Sequence, residues 1–341
     1  MFKKLFNAII IVGLLGLISL GAFLGYFYTR TYQGPDANFI VENGDGFGKI
    51  NQRLFNQGLI SDKRIFHYLA KFKNVLTKFR AGSYTIPRGS NMTMVLEALV
   101  YGQPNLTSIT IPEGKNMYEV AKLLATSGIT SEKEFLDIVQ HPDFISKLKI
   151  NATTLEGYLY PETYRFAPHT PAKIVAKTMI DLFNRKTEKL EFDHPFLSKH
   201  QVIILASVVE KETGAKVERP AIAGVFTNRL KKRMRLESDP TTIYGIWKRY
   251  KGNIRRADLL ELTPFNTYKV PALPQGPISN PSLEAIKAVL NPTDHEYLFF
   301  VSKNDGTHVF TKNYIDHLEA VDNFQRNTKA REGKSWRNLK Q

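Results

Sequence analysis

An uninterrupted apolar run opens the chain. From Leu5 to Thr29, a stretch of 25 positions, no charged residue occurs, and a helix of that length crosses a hydrocarbon layer of about 30 Å. Cleaved signal peptides have a shorter apolar region, of about 7–15 residues, and a small-residue cleavage site. This run ends instead in the bulky segment 23–28. We therefore expect an uncleaved transmembrane helix over residues 5–29.

The flanks of this run predict its orientation. Lys3 and Lys4 precede it and only Arg30 follows closely, and positive charge favours the cytoplasmic side of a membrane. Residues 1–4 are therefore expected to form a cytoplasmic tip and residues 30–37 a linker. Everything after the helix would then lie outside the cytoplasm.

The pattern changes to short elements between residues 38 and 105. A strand at 39–41 and a helix over 47–57 are followed by a second helix, begun by Ser61 or Asp62, and a strand at 82–86. This order and length resemble the LysM-type glycan-binding module, and a generic small α+β subdomain is the alternative. A flanking helix completes this part of the chain. Residues 106–150 are expected to form a connecting α/β segment without evident chemistry.

Residues 151–322 are expected to form the main domain, of mixed α/β structure. Its patterns predict an amphipathic helix over 171–186, a helix that starts at the Asn280-Pro281 pair, and a hairpin around residues 304–306. The fold class predicted for the whole chain is α+β. Residues 323–341, with six Lys or Arg and one Glu, are expected to form a basic C-terminal tail.

Charge and composition narrow the classes of partner. The 341 residues include 47 Lys and Arg against 32 Asp and Glu, a net charge of +15, which indicates nucleic acid, a membrane surface or an acidic polymer as partner. If residues 5–29 cross the membrane, a cell-envelope polymer is favoured over DNA and RNA. The chain has no cysteine, which excludes disulfides, thiolate nucleophiles and sulfur-ligated metals. The eight histidines show no ligand spacing, so neither a metal nor a cofactor is expected.

One carboxylate lies on the most apolar predicted helix. Residues 202–209 leave almost no polar face, which predicts a helix buried on most sides, and Glu210 follows Ile203 and Ala206 on one face. Apolar surroundings and the carbonyl end of a helix both favour the protonated form, which a general acid at a glycosidic bond requires. A solvated helix end, with Glu210 paired to a Lys or Arg, is the alternative.

Two other acidic residues are close in sequence. Glu212 lies about 200° further round the helix than Glu210, and we expect it to form a salt bridge or a helix-end hydrogen bond away from the site. Asp239 precedes Pro240 and is therefore biased to an extended conformation. It is a candidate for binding substrate or orienting Glu210, with a turn or capping role as the alternative.

Six sequence blocks together carry a resemblance to a known family. They are 156–164 (EGYLYPETY), 205–213 (LASVVEKET), 225–230 (VFTNRL), 234–245 (MRLESDPTTIYG), 266–268 (NTY) and 273–281 (LPQGPISNP). In this order they resemble the MltG, or YceG-like, family of endolytic murein transglycosylases. The N-terminal apolar run and the LysM-like order are similar to that family as well, so the resemblance spans nearly the whole chain.

The resemblance implies a reaction with one catalytic carboxylate. Members of this family cleave MurNAc–GlcNAc bonds within nascent peptidoglycan strands and leave 1,6-anhydromuramic acid ends, which would end glycan elongation. Residues 151–322 would be the catalytic domain, in which Glu210 first protonates the glycosidic oxygen and then accepts the proton of the C6 hydroxyl. Hydrolytic glycosidases need two carboxylates, whereas attack by the sugar's own hydroxyl needs one and gains from proximity.

Seven residues in the matched blocks are candidate substrate-binding residues, with ordinary packing as the alternative for each. Tyrosine rings offer faces for sugars, and amide and hydroxyl groups can bind N-acetyl groups. They are Tyr160, Tyr164, Asp239, Thr241, Tyr244, Asn266 and Tyr268.

Three residues depart from the family pattern. Glu237 stands where the family commonly has Gln, and Gln275 and Ser282 stand where Pro and Gly are more frequent. None of the three is expected to touch Glu210, so they affect the expected pH optimum and substrate contacts but not the expected activity.

The resemblance also implies partners and a location. The expected partners are peptidoglycan glycan strands, the bacterial cytoplasmic (inner) membrane through the N-terminal helix, and peptidoglycan synthases of the elongation machinery, whereas nucleic acid is not expected. The N-terminus would be cytoplasmic and the catalytic domain periplasmic or otherwise extracytoplasmic. The alternative function is a non-catalytic, membrane-tethered peptidoglycan-binding scaffold of the wall-synthesis machinery, against which the presence of Glu210 argues.

Overall fold

The computed structural model describes residues 2–42 and 44–327. Met1, within the predicted cytoplasmic tip, and residues 328–341 of the predicted basic tail lie outside the described residues. The first residues of that predicted tail are not irregular, because Asp322–Arg326 form a short π-helix.

The N-terminal helix, α1, covers Phe2–Thr29. Its apolar side chains that are described, from Ile10 to Phe23, are exposed. Among the described residues, no helix is both long enough and apolar enough to cross a membrane. The transmembrane helix over residues 5–29 stays a prediction.

The contacts divide the chain into two units. The first consists of Met1–Ser108, Ser127–Thr130 and Arg165–Pro171. After α1 it contains β1 and β2, an antiparallel pair with Phe39 opposite Tyr84, and three helices. The bounds are β1 Ala37–Val41, α2 Phe47–Asn56, α3 Lys63–Phe72, β2 Gly82–Ile86 and α4 Met92–Tyr101.

The order of elements predicted for residues 38–105 is confirmed. Asp62 is the cap of α3, since its side chain accepts hydrogen bonds from the backbone N–H groups of Arg64 and Ile65. Helices α2, α3 and α4 and the sheet enclose an apolar core that includes Phe39, Leu54 and Phe66. The LysM-like character of this unit stays a prediction.

The second unit consists of Ile109–Thr126, Ser131–Tyr164 and Ala172–Gln341. It is mainly helical, and its strands form short two-stranded pairs. The helices are α5 Met117–Thr126, α6 Glu132–Val139, α7 Pro142–Lys147, α8 Ala172–Thr187, α9 Lys199–Glu212, α10 Arg219–Lys231, α11 Asp239–Gly245, α12 Arg256–Leu260, α13 Leu283–Leu290 and α14 Tyr314–Val321. The strands are β3 Thr107–Thr110, which begins before the unit boundary, β4 Thr163–Phe166, which ends beyond it, β5 Phe299–Ser302 and β6 His308–Thr311.

Helix α9 is the centre of this unit. Every residue from Val202 to Val209 is buried, because the helix packs against α10, α11 and α13. Ser198 begins it with a capping box that includes Gln201. The prediction of a helix buried on most sides is therefore confirmed, as are the α+β class and the hairpin, which is the antiparallel pair β5–β6. The domain boundaries drawn from the sequence stay predictions.

Candidate active site

Glu210 occupies the last turn of α9, at the edge of the buried core. Its side chain is only 6% exposed. Both carboxylate oxygens have partners: Oε1 accepts from Nη2 of Arg219 at 2.6 Å, and Oε2 accepts from the backbone N–H and the hydroxyl of Ser282 at 3.0 and 2.5 Å. One cation and two neutral donors therefore hold the carboxylate in place. The pairing with an Arg that the sequence left open is confirmed, whereas the solvated helix end that went with it is wrong, because the side chain is buried.

Arg219 links Glu210 to a second acidic side chain. It is the first residue of α10 and is 4% exposed. The same Nη2 atom lies 3.2 Å from Oε2 of Glu113, which also pairs with Lys216 at 3.3 Å. Next to Glu113, Gly114 lies so close to the site that a Cβ atom on it would be 3.5 Å from Cγ of Glu210. The site therefore contains a carboxylate–guanidinium–carboxylate cluster. Glu210 and Arg219 are buried, and Glu113, at its outer end, is 37% exposed.

Ser282 brings the start of α13 to Glu210. It is the N-cap of that helix, and its hydroxyl accepts from the N–H of Ala285 at 3.2 Å. The prediction of a helix start with Asn280 as cap is therefore wrong by two residues, because the Asn280 side chain is engaged elsewhere. The expectation that Ser282 does not touch Glu210 is also wrong. Glu210 lies at the carbonyl end of α9 but accepts from the amide end of α13, which stabilises negative charge.

Asn280 holds the segment that precedes α13. Its Oδ1 accepts from the N–H groups of Gly157 and Leu159, both at 2.9 Å, and its Nδ2 donates to the carbonyl of Lys115 and to Glu156. Gly157 has φ +86°, and a Cβ atom on it would lie 2.6 Å from Cγ of Pro277, so a side chain cannot be placed there. This segment is thus tied at residue 280 to the 156–159 turn, and two residues later it contacts Glu210.

Glu156 is a second buried carboxyl group, which sequence reasoning did not single out. It is completely buried. Its Oε2 accepts from the N–H of Met117 at 2.8 Å and the hydroxyl of Tyr244 at 2.9 Å, and its Oε1 accepts from Nδ2 of Asn280 at 3.0 Å. Burial raises its pKa to about 8, although the hydrogen bonds from Met117 and Tyr244 oppose the shift. Glu156 is therefore mostly protonated at neutral pH. Its position inside an aromatic block was the available sequence signal.

Glu212 faces away from Glu210, as predicted. It accepts a hydrogen bond of 2.6 Å from the hydroxyl of Ser238. Burial and the nearby Asp239 raise its pKa to about 7, while the Ser238 hydroxyl and Arg229 act in the opposite direction. The expected helix-end hydrogen bond is confirmed.

Four of the predicted substrate-binding residues are buried and their polar atoms are used within the fold: Tyr164, Thr241, Tyr244 and Asn266. Oδ1 of Asn266 accepts from Thr242 and from the N–H of Tyr268, while its Nδ2 donates to three backbone carbonyls. Thr241 donates to the carbonyl of Ser238, and Tyr244 donates to Glu156. These contacts give each residue a structural role, and substrate binding by them stays a prediction.

Of the other three, Tyr160 is also buried, Tyr268 is partly exposed and Asp239 is exposed. The Tyr268 hydroxyl donates to Asp239, which is exposed, at 2.8 Å. The Tyr164 hydroxyl donates to the carbonyl of Tyr160, whose ring lies 5.8 Å from Nζ of Lys186. Among the described residues, none of the seven predicted substrate-binding residues hydrogen-bonds to Glu210. Two residues that do, Arg219 and Ser282, were not predicted.

Two other departures from the family pattern lie apart from the Glu210 contacts. Glu237 is half exposed and pairs with Arg229 at 3.4 Å, and Gln275 is exposed. A cavity of about 490 Å³ lies beside the 272–275 loop and the first turns of α9. It contains none of the residues that contact Glu210.

Comparison with known proteins identifies relatives of this chain. Residues 39–323 match the YceG-like family. The chain is 32% identical over 305 residues to the endolytic murein transglycosylase of Bacillus subtilis (strain 168), covering 84% of each protein. It is 31% identical over 346 residues to the endolytic murein transglycosylase of Streptococcus pneumoniae serotype 2 (strain D39), covering 89% of this chain and 62% of that protein. A crystal structure of a YceG-like protein from Listeria monocytogenes is similar, with a TM-score of 0.55, 27% identity and coverage of 83% of this chain and 98% of that one.

Proposed function

The chain belongs to the YceG-like family, and we propose that it is an endolytic murein transglycosylase that cleaves peptidoglycan strands through Glu210. Relatives that it matches over most of its length are named for this activity. The observation that carries the proposal is the placement of Glu210, a nearly buried carboxylate at the end of the central helix with both oxygens held by donors. Such a group is held in one orientation, as proton transfer requires.

The proposed reaction uses one carboxyl group twice. Glu210, in its protonated form, gives its proton to the oxygen of the MurNAc–GlcNAc bond as the bond from that oxygen to the MurNAc C1 breaks. The resulting carboxylate then accepts the proton of the MurNAc C6 hydroxyl as the bond from O6 to C1 forms. The products are a 1,6-anhydromuramic acid end and a free GlcNAc end, and no water is consumed.

The other carboxyl groups near α9 support a single-carboxylate mechanism. Glu156 is completely buried, and Glu212 is bound to Ser238 on a different side of the helix. Glu113 shares Arg219 with Glu210, so a guanidinium lies between those two carboxylates. Inverting and retaining hydrolases instead leave room between two carboxylates for water or for a sugar carbon.

The experiment that tests this proposal is strand cleavage by the full chain in detergent. Uncrosslinked glycan strands are incubated with the wild type, with Glu210→Gln and with the matched variant Glu212→Gln, and the ends are identified by mass spectrometry. We expect anhydromuramic acid ends from the wild type, a loss of about 10³-fold in Glu210→Gln, and retention of most activity in Glu212→Gln. Undiminished cleavage by Glu210→Gln would overturn the assignment.

The finer proposal concerns location and timing. We propose that α1 anchors the chain in the cytoplasmic membrane with its N-terminus inside, beside synthases of the elongation machinery, so that cleavage ends the growth of new strands. The exposed apolar side chains of α1 support this location, because such a surface is unfavourable in water. Membrane fractionation, protease protection of tagged termini and the strand lengths of a deletion strain test it. Unchanged strand lengths would contradict the role in termination.

A further inference from the structure

Ser282 is the neighbour of Glu210 that contacts one carboxylate oxygen twice. Its backbone N–H and its hydroxyl both donate to Oε2, at 3.0 and 2.5 Å, while Arg219 donates to Oε1. The hydroxyl oxygen simultaneously accepts from the N–H of Ala285. Because a hydroxyl has one hydrogen, the hydrogen bond from Ala285 fixes that hydrogen on the side of Glu210.

We propose that Ser282 is a positioning residue for Glu210: its hydroxyl fixes the orientation of the carboxylate and lowers the affinity of Glu210 for a proton. The inference rests on the proposed function, in which protonated Glu210 acts on the glycosidic bond. Donors to the ionised form of a carboxyl group disfavour its protonation. The hydroxyl therefore limits the pH range in which the acid step proceeds and favours the carboxylate that the second step requires.

Residues 278–280, which precede Ser282, are held in place by further hydrogen bonds. Asn280 is 1% exposed and bonded through both side-chain polar atoms. The hydroxyl of Ser207, on α9, accepts from the N–H of Ile278 at 3.0 Å, and the hydroxyl of Ser279 donates to the carbonyl of Ser207 at 3.1 Å. Residues 278–280 are thus hydrogen-bonded to α9 and to the 156–159 turn. These bonds fix the position of Ser282 beside Glu210.

The charged groups around Glu210 come from several elements. Arg219 of α10 is in contact, Glu113 of the loop before α5 is reached through Arg219, and Lys211 follows on α9 and donates to the carbonyl of Gly114 at 3.3 Å. Other charged groups on the elements packed against α9 are Glu284 and Lys287 of α13, Asp239 of α11 and Lys231 of α10, all exposed, and Arg229 of α10, paired with Glu237. Substitution of the Ser282 side chain leaves all of them in place, so it isolates the hydroxyl.

Ser282→Gly is the decisive variant, because glycine is an acceptable N-cap and retains the backbone N–H. In the proposed reaction kcat/KM declines at high pH as Glu210 loses its proton. We expect this decline to move to higher pH by about one unit in Ser282→Gly. Ser282→Thr retains the hydroxyl and should restore the wild-type profile. Ser131→Gly is the matched control, since Ser131 is also a serine N-cap, of α6, and binds Glu134 and not Glu210, and its profile should not move.

A second measurement does not depend on turnover. The carboxyl carbon of Glu210, labelled with ¹³C and assigned by its absence in Glu210→Gln, is titrated by NMR in the full chain. A midpoint that is higher in Ser282→Gly than in the wild type and Ser282→Thr supports the inference. Equal midpoints overturn it even if strands are cleaved, whereas a shifted midpoint without any strand cleavage by the wild type would refute the proposed function and leave the coupling established.

Discussion

Glu210 and Glu156 are both buried in the second unit, and the protein compensates for their burial in different ways. Glu210, at the end of α9, is neutralised by the charge of Arg219 at 2.6 Å. Glu156, inside the unit, is bound by Met117, Tyr244 and Asn280, which are all uncharged donors, and its pKa is raised to about 8. The guanidinium of Arg219 compensates for the burial of Glu210, and a bound proton compensates for the burial of Glu156.

The difference indicates a chemical role for Glu210 and a structural role for Glu156. A carboxylate that is held by a guanidinium at the edge of the core can accept a proton and return it, so it is suited to a reaction in which it acts first as acid and then as base. A carboxyl group that carries its proton inside a dry cluster is a fixed hydrogen-bonding element. The two groups are nevertheless connected, because Asn280 binds Glu156 and, two residues later, Ser282 binds Glu210.

Removal of the charge that compensates Glu210 is expected to have the largest effect on stability. Arg219→Ala leaves Glu210 buried without a cation, which costs about 3–5 kcal/mol when one partner of a buried pair is removed. Urea unfolding monitored by tryptophan fluorescence measures it. Lys216→Ala is the control, because Lys216 is 75% exposed and contacts only the outer end of the cluster. Similar losses in the two variants would show that Arg219 does not compensate Glu210.

Removal of the interior carboxyl group should have a somewhat smaller effect. Glu156→Ala leaves the N–H of Met117, the hydroxyl of Tyr244 and the amide of Asn280 without their acceptor, which costs about 2–4 kcal/mol. Glu162→Ala is a matched control in the same aromatic block, since its carboxylate is exposed and lies 3.6 Å from Lys186; we expect a change below about 0.5 kcal/mol for it. A loss in Glu156→Ala no larger than in Glu162→Ala would contradict the structural role of the cluster.

The dependence of stability on pH should distinguish the two means of compensation most finely. The pKa of Glu156 is raised on folding from 4.5 to about 8, so its contribution is complete below pH 4.5 and is lost as the pH rises towards 8, by at most about 1.4 kcal/mol per unit. Glu212, with its pKa raised to about 7, acts in the same direction. Unfolding free energies between pH 5 and 8 should therefore fall less steeply in Glu156→Gln than in the wild type. Parallel curves would be inconsistent with a protonated Glu156.

The sequence predicted the helices, strands and residue faces that depend on local patterns. The apolar run 202–209 predicted α9, and the position of Glu212 on the helix predicted its separation from Glu210. The order of β1, α2, α3 and β2 followed from strand and helix patterns as well. These features depend on neighbouring residues, whose spacing fixes which side of an element they occupy.

The contacts of Glu210 could not be predicted in this way. Arg219 and Ser282 reach it from other elements, and nothing in their own neighbourhood indicates the approach. The dipole of α9 could be inferred from the sequence, but the backbone N–H of Ser282 at the start of α13, which donates to Glu210, could not. The resemblance identified Glu210 by its sequence block, whereas the donors that hold it depend on tertiary packing.

The segment that contains Asn280 and Ser282 also determines at what stage of synthesis and folding the Glu210 site can form. Glu156 and Asn280 are 124 residues apart in the chain, and Glu210 and Ser282 are 72 apart. Contacts between such distant segments form late in folding, because long loops must close first. During synthesis, α9 is complete while Ser282 has yet to be added. The growing chain therefore has Arg219 nine residues after Glu210, but it lacks the two donors of Ser282 until the last fifth of the sequence is being added.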